Sequence, residues 1–347
     1  MSRLSRPDPT TGQVDWLVTN LGAQSDEAAA AWVTGSTKEF EKTSRTLENN
    51  LILQLLREGK VGEFLNPSRP IGVEDFGCGN GIKSGLAVAD LVNAGYQVTD
   101  CTLIDSHPFI TNLAERQTRQ IIDQKVAVDK SPGAAPVLIH QVVGNFADPN
   151  LTLAEAGPKC QRVRLCLGNT VDNFEVDTIY PALARNLDTN DLCVIGLRRR
   201  TFTLPEKFNK AKIRNDSKDL AKYPRDFQEV IRERAVFSSQ SKLRHFQAEA
   251  TGIPRNSYDD HCWFDPFQKR WIHSIVLKEI DEQKNPELWK FGFRPGQEML
   301  VEISRVQTTQ EQKQDLEKYF QVLATKEDPD SDQTIFILKA HPNPQVN

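Results

Sequence analysis

Gly77, Gly79 and Gly81 alternate with single residues at the end of the apolar run Ile71-Gly72-Val73-Glu74-Asp75-Phe76, and Lys83 follows closely. Alternating glycines let a chain bend sharply, reach backbone angles closed to other residues and present bare main chain to a ligand. The chemistry this suggests is the cradling of a nucleotide between a strand and a helix. About twenty residues on, Cys101-Thr102-Leu103-Ile104-Asp105 reads as a second strand closing on an acid, the place where a carboxylate accepts from ribose hydroxyls.

The glycine spacing narrows the ligand. It is Gly-x-Gly-x-Gly, whereas the dinucleotide fingerprint is Gly-x-Gly-x-x-Gly, whose third glycine supports close helix packing beside a pyrophosphate. Ile82 stands at that third position, which disfavours a dinucleotide. Asp75, just ahead of the first glycine, suits a cationic ligand better than a phosphate, and S-adenosylmethionine carries a sulfonium and an ammonium. An ordinary Rossmann-type turn serving another ligand is the competing reading.

Elements must hold these residues in place. Val88, Leu91 and Val92 recur at i, i+3, i+4 spacing, so Lys83 to Ala94 predicts a helix that opens at the glycine turn. From Ile71 to about Leu197 strand-like runs (Val137-Leu138-Ile139, Val163-Arg164-Leu165-Cys166-Leu167, Leu192-Cys193-Val194-Ile195) alternate with helical stretches, which predicts a parallel sheet with crossover helices. Upstream, Asp26 to Leu65 reads as helical, with Leu47, Leu51, Leu55 and Leu56 at helical spacing. The charged section from Arg198 to about Asp260, with a helix over Asp226 to Arg234 and followed by a strand over Trp271 to Leu277, reads as an inserted or appended region. The tail then reads strand (Glu298 to Ser304), helix (Thr309 to Tyr319), strand (Phe320 to Ala324) and strand (Thr334 to Leu338), a sheet interrupted and later resumed. The domain reading is a helical part over 1–65, a cofactor-binding core over 66–200, an inserted region over 201–300 and a completion of the core over 301–347.

Composition sets the outer bounds. The chain has 347 residues with 43 Lys and Arg against 47 Asp and Glu, enough for one large or two modest domains and slightly acidic overall. That balance argues against nucleic acid, and Arg198-Arg199-Arg200 reads as a solvated loop. No apolar run approaches the ~18 residues of a membrane span, and the first residues lack the apolar core of a secretory signal. The cytoplasm is the expected location. The six cysteines and six histidines are scattered without paired spacing, so no metal site is expected.

Leu167-Gly168-Asn169-Thr170-Val171-Asp172-Asn173-Phe174 resembles the Leu-Gly-x-Thr-Ile-Gly-Asn-Phe signature of the histidine-specific, S-adenosylmethionine-dependent methyltransferases, typified by the ergothioneine-pathway L-histidine Nα-methyltransferase and its fungal dimethylallyltryptophan N-methyltransferase relatives. Gly296-Gln297-Glu298-Met299-Leu300-Val301-Glu302-Ile303-Ser304 is similar to the family segment closing on Glu-Ile/Val-Ser, and Asp328-Pro329 to its late Asp-Pro turn. The resemblance covers roughly residues 40 to 340. It implies an α/β class I (Rossmann-like) methyltransferase fold with an additional substrate-binding domain. It implies that Gly77 and Gly79 cradle the cofactor, that Lys83 reaches its carboxylate, that Asp105 holds the ribose, and that Asn145 and Phe146 lie against adenine, where the family has Asp-Phe. It implies further that Asn173 holds the acceptor's amino and carboxylate groups and that Glu302 and Ser304 grip an imidazole.

Each position also has a plainer role open to it. Lys83 can be a solvated helix lysine, Asp105 a helix cap, Asn173 an N-cap, and Glu302 with Ser304 the solvated face of a strand. The family's Tyr-Tyr-x-Thr-x-x-Glu run falls at Phe40-Glu41-Lys42-Thr43-Ser44-Arg45-Thr46-Leu47-Glu48, which holds no tyrosine, so the substrate lid is altered. Tyr223 is the candidate for an aromatic wall in its place. The function expected is methylation of the amine of an amino acid or a molecule derived from one, histidine-like at first guess, in a specialised pathway. A catalytically silent cofactor-binding relative acting through a partner, and a nicotinamide oxidoreductase, are the alternatives.

Overall fold

Ile71–Phe76 forms strand β1 with every residue buried, as expected of a central strand covered on both faces. The computed structural model describes residues 61–126, 136–148, 150–153, 160–168, 170–202, 204, 213–214, 220–240, 255–267, 269–278, 282–283, 286, 289, 294–329 and 332–341. The helix read over Asp26 to Leu65 lies almost wholly outside them, and 61–65 are turns. The described residues fall into two units, one of 61–199 with 307–341 and one of 200–306.

In the larger unit, β1 is joined by β2 (Val98–Asp105), β3 (Leu138–Val143), β4 (Gln161–Cys166), β5 (Leu192–Arg198), β9 (Phe320–Glu327) and β10 (Gln333–Ala340). The seven strands lie in the order β3-β2-β1-β4-β5-β10-β9. The first five are parallel to one another, and β10 runs antiparallel to both β5 and β9. This mainly parallel α/β sheet, reversed only at β10, is the expected Rossmann-like α/β arrangement. The strand order reverses between β1 and β4, and ligands of such sheets bind beyond the strands' carboxyl ends at that point.

Helices α1 (Ile82–Asn93) and α2 (Pro108–Lys125) cross over on one face, where Val73, Val88, Leu91, Leu103 and Ala114 build one core. Helices α3 (Val176–Ala184) and α5 (Thr309–Leu316) flank the other core, built from Phe76, Ile104, Ile179, Leu316 and Phe336. The helix starts are set locally. Pro108 opens α2, with His107 Nδ1 accepting from the Phe109 N–H at 3.1 Å. Thr308 and Glu311 form a reciprocal capping box at α5.

One polar cluster lies inside the second core. Glu74 of β1 and Arg164 of β4 are register partners, 3 % and 0 % exposed, and the guanidinium Nε and Nη2 lie 2.8 and 2.6 Å from Glu74 Oε2. Arg164 Nη1 also donates to the carbonyls of Leu183 and Arg185, at 2.7 and 2.8 Å, and so caps the end of α3. Its guanidinium stands 4.5 Å from the centre of the Phe76 ring.

The smaller unit carries an antiparallel sheet of β6 (Tyr258–Asp265), β7 (Arg270–Leu277) and β8 (Glu298–Arg305), with helix α4 (Arg225–Gln240). Phe227, Ile231, Phe264 and Trp271 form its core with Ile213, Leu220 and Val306. Strand β8 belongs whole to this sheet, so the chain returns to the larger unit at Gln307.

Candidate functional site

The glycine turn hangs on the end of β2. The N–H groups of Gly77 and Cys78 donate to the Ile104 carbonyl at 2.9 and 3.1 Å, which fixes the turn beside Asp105. Gly77, Gly79 and Gly81 have φ of 76°, 55° and 76°, the left-handed region that glycine alone enters without cost. Space demands glycine too. A Cβ on Gly77 would lie 2.9 Å from Thr170 Cγ2, and one on Gly81 only 2.3 Å from the Ala114 carbonyl oxygen of α2. Gly81 therefore takes the packing role of the fingerprint's third glycine although it stands one place early. Asn80 caps the turn by accepting from the Ile82 N–H at 3.3 Å.

Asp105 is half-buried at the carboxyl end of β2. Its Oδ2 accepts from the Gly79 N–H at 3.2 Å, and its Oδ1 from the Ser106 N–H at 2.8 Å and Ser106 Oγ at 3.4 Å. Burial pushes its pKa above the ordinary carboxylate value, against the pull of the Gly79 and Ser106 hydrogen bonds. Asp75 plays another part than the one its position suggested. It is 2 % exposed and accepts from Ser84 Oγ of α1, so it ties helix to strand inside the fold.

Lys83 lies in the first turn of α1 and is half-buried. Its Nζ is 2.8 Å from where a Cβ on Gly168 would stand, which brings it to the loop after β4. The Gly144 N–H donates to the Asp105 carbonyl at 2.9 Å and so attaches the loop after β3 to the same place. In that loop Asn145 Oδ1 accepts from the Ala147 N–H at 3.0 Å, an Asx turn. Phe146 is buried, its ring 5.7 Å from Phe76 and 5.3 Å from Phe174. Gly77, Gly79, Lys83, Asp105, Asn145 and Phe146 thus gather around the carboxyl ends of β1, β2 and β3.

Asn173 ends a 3-10 turn, Thr170–Asn173, that follows β4 at the same edge. Two contacts fix this turn. Thr170 stands against Gly77, and buried Asp172 accepts from the Arg198 N–H at 3.3 Å. Where the resembled signature has glycine, Asp172 thus anchors the turn to the end of β5.

The remaining predicted residues belong to the smaller unit. Tyr223 is buried, with its ring 5.5 Å from Phe227 and at 77° to it, so it is part of that unit's core. On β8, Glu302 is the register partner of His273, its side chain lying outside the described residues, and Ser304 is the partner of Trp271, on the face of the sheet that carries this core residue. Cys262, opposite His273 on β6, has its Sγ 3.7 Å from His273 Nε2. No spacing in the sequence points to that pair. The thiols of Cys78, Cys101 and Cys193 are buried and their pKa values raised chiefly by desolvation, that of Cys193 to about 12. Such thiols are inert toward exposed reagents. No group of three metal-ligating side chains occurs among the described residues, and none of their helices is long and apolar enough to cross a membrane.

No protein-family model and no curated protein matches the sequence. Solved structures do align with it. The PH0226 protein from Pyrococcus horikoshii OT3 aligns with a TM-score of 0.43 at 11% identity, over 88% of this chain and 96% of its own. Loganic acid methyltransferase with SAH aligns with a TM-score of 0.36 at 10% identity, over 91% of this chain and 95% of its own. The mitomycin 7-O-methyltransferase MmcR aligns with a TM-score of 0.35 at 13% identity, over 89% of this chain and 60% of its own.

Proposed function

We propose that the chain is an S-adenosylmethionine-dependent methyltransferase acting on the amine of a small amino-acid-like acceptor, with histidine as first candidate. The observation that carries the reading is the coupled pair of the positive-φ glycine turn and Asp105, locked together by the Gly79 N–H. The residues fit this cofactor. The cradle has no Cβ where Thr170 closes on it, and a half-buried carboxylate at the carboxyl end of β2, with a lysine in the adjoining helix, supports contact with a ribose.

Bound S-adenosylmethionine supplies an activated methyl group on a sulfonium. The chain's residues supply placement. Gly77 and Gly79 give main-chain contact, Lys83 meets the amino-acid carboxylate, and Asp105 accepts from the ribose. Asn145 faces the adenine amino group through its amide oxygen, whose second lone pair remains beside the Asx bond, and Phe146 walls the base. Asn173 orients the acceptor nitrogen in line with the methyl group. Alignment of this kind contributes on the order of 7–11 kcal/mol. An α-amino group with a free pKa of roughly 7.7–8.0 is already partly neutral at physiological pH, so no strong dedicated base is required. Glu302 and Ser304 are assigned acceptor recognition through the resemblance, whereas Tyr223, expected as an aromatic wall, packs in the core of the smaller unit.

The test is incubation of the protein with S-adenosylmethionine and a panel of amino acids, including histidine and tryptophan derivatives, read by mass spectrometry. A mass gain of one or more methyl groups on nitrogen is the expected result. Methylation of an oxygen or carbon acceptor instead would keep the cofactor reading and overturn the acceptor class.

A further inference from the structure

Gly168 is the first residue past Leu167 at the end of β4, with φ 83°, and it is exposed to solvent. Backbone angle alone explains a glycine here, but the space above its Cα is also taken. Apart from its chain neighbours, the described atom nearest to a would-be Cβ is Lys83 Nζ at 2.8 Å, and the next is Lys83 Cε at 3.9 Å. Four bonds of flexible stem carry that ammonium. A side chain at 168 would therefore meet the ammonium first, in addition to straining the backbone at this φ.

We propose that Gly168 is a positioning residue for Lys83: its missing side chain is the seat that holds the ammonium over the loop after β4. The inference rests on the cofactor reading and deepens it, because Lys83 is the group assigned to the cofactor's carboxylate. Lys83 leaves the glycine-turn helix, while Gly168 opens the loop that carries Thr170, itself against Gly77, and then Asn173. The seat thus sets where a point charge stands between the turn that cradles the cofactor and the turn assigned to the acceptor. A lysine ammonium has no fixed fork to restore its own geometry, so its position depends on what surrounds it.

The experiment is a double-mutant cycle on the full chain, with Gly168→Ala, Gly168→Asn and Lys83→Gln alone and each glycine variant combined with Lys83→Gln. The readouts are the dissociation constant for S-adenosylhomocysteine by calorimetry and the melting temperature. Each single variant is expected to weaken binding by about tenfold, and the combined variants to bind no worse than Lys83→Gln alone, since the seat has no function without its ammonium. Asparagine tolerates positive φ better than alanine, yet it too carries a Cβ. Equal losses in Gly168→Ala and Gly168→Asn therefore support the seat, whereas a loss with alanine that asparagine restores overturns it in favour of backbone strain. Multiplicative losses in the combined variants also overturn it. A wild-type protein that binds no S-adenosylhomocysteine would overturn the cofactor reading itself, while wild-type binding that Lys83→Gln leaves unchanged would overturn this proposal alone.

Discussion

Asp105 offers the sharpest test of the proposed cofactor site. Two ribose hydroxyls donating to one carboxylate, at about 1.5–3 kcal/mol for each charged hydrogen bond, together contribute about 3–6 kcal/mol. At about 1.4 kcal/mol per tenfold, Asp105→Ala should weaken S-adenosylhomocysteine binding by about 10²–10⁴-fold. Asp105→Asn keeps the shape but not the chemistry. Its amide oxygen would stay with the Ser106 N–H at the Oδ1 position, so its NH₂ would replace Oδ2 and face the Gly79 N–H, donor to donor. The asparagine variant should therefore bind within about tenfold of the alanine variant rather than near wild type. Titrating pH adds a second, independent reading. Burial raises the folded-state pKa of Asp105 above its unfolded value, so the native state binds the proton more readily. The stability of the free protein should gain from this group as pH falls through that raised value. Ligand affinity should move the other way, because a protonated acid accepts less well, and the loss should begin above the usual carboxylate range. Calorimetric titrations from neutral pH downward, with Asp105→Asn as the pH-insensitive control, would show both. Binding by Asp105→Asn within threefold of wild type would refute the assignment of the ribose to this carboxylate.

Other perturbations separate site from scaffold. Asn173→Ala should leave S-adenosylhomocysteine affinity within about threefold while removing turnover in the mass-spectrometric assay, since the residue is assigned to the acceptor. Glu74→Leu should destabilise the larger unit by about 3–5 kcal/mol in urea unfolding, because it strands the fully buried Arg164 guanidinium. Gly81→Ala combines a left-handed φ, at roughly 1–2 kcal/mol, with overpacking against Ala114 of about 1–3 kcal/mol, so a melting temperature lowered by several degrees is expected. In native protein, a thiol reagent should label Cys160 and Cys262 well before Cys78, Cys101 or Cys193, as peptide mapping after timed quenching would show.

The parallel core could be read from the sequence because its signals are local. Apolar runs ended by glycine or an acid marked β1 and β2, and helical spacing marked α1, which begins at Ile82 where Lys83 was read. The tail's order of strand, helix, strand, strand was also legible, but not that β10 would slot between β5 and β9, because pairing partners across such a separation leave no local trace. The same limit hid the Glu74 and Arg164 pair, 90 residues apart. Asp75 shows a related limit: its residue type suits a cationic ligand, and only the fold shows that it also bonds Ser84. The glycine pattern named the turn but not the job of each glycine, since Gly81 serves α2 and Gly168 serves Lys83.

The late arrival of β10 also bears on how this chain is made. During synthesis β1 to β5 emerge first, and β5 presents an apolar, unpaired edge until Gln333–Ala340 follows roughly 130 residues later. At about 5–20 residues per second that interval lasts about 7–25 s, long compared with the microseconds in which a strand finds a neighbour. Arg199 and Gln307 form a parallel bridge, so the chain leaves the larger unit and re-enters it at one spot, and everything made in between can fold as a side loop while the edge waits. A ribosome paused within that stretch would therefore hold a half-built sheet whose waiting edge is Leu192–Arg198.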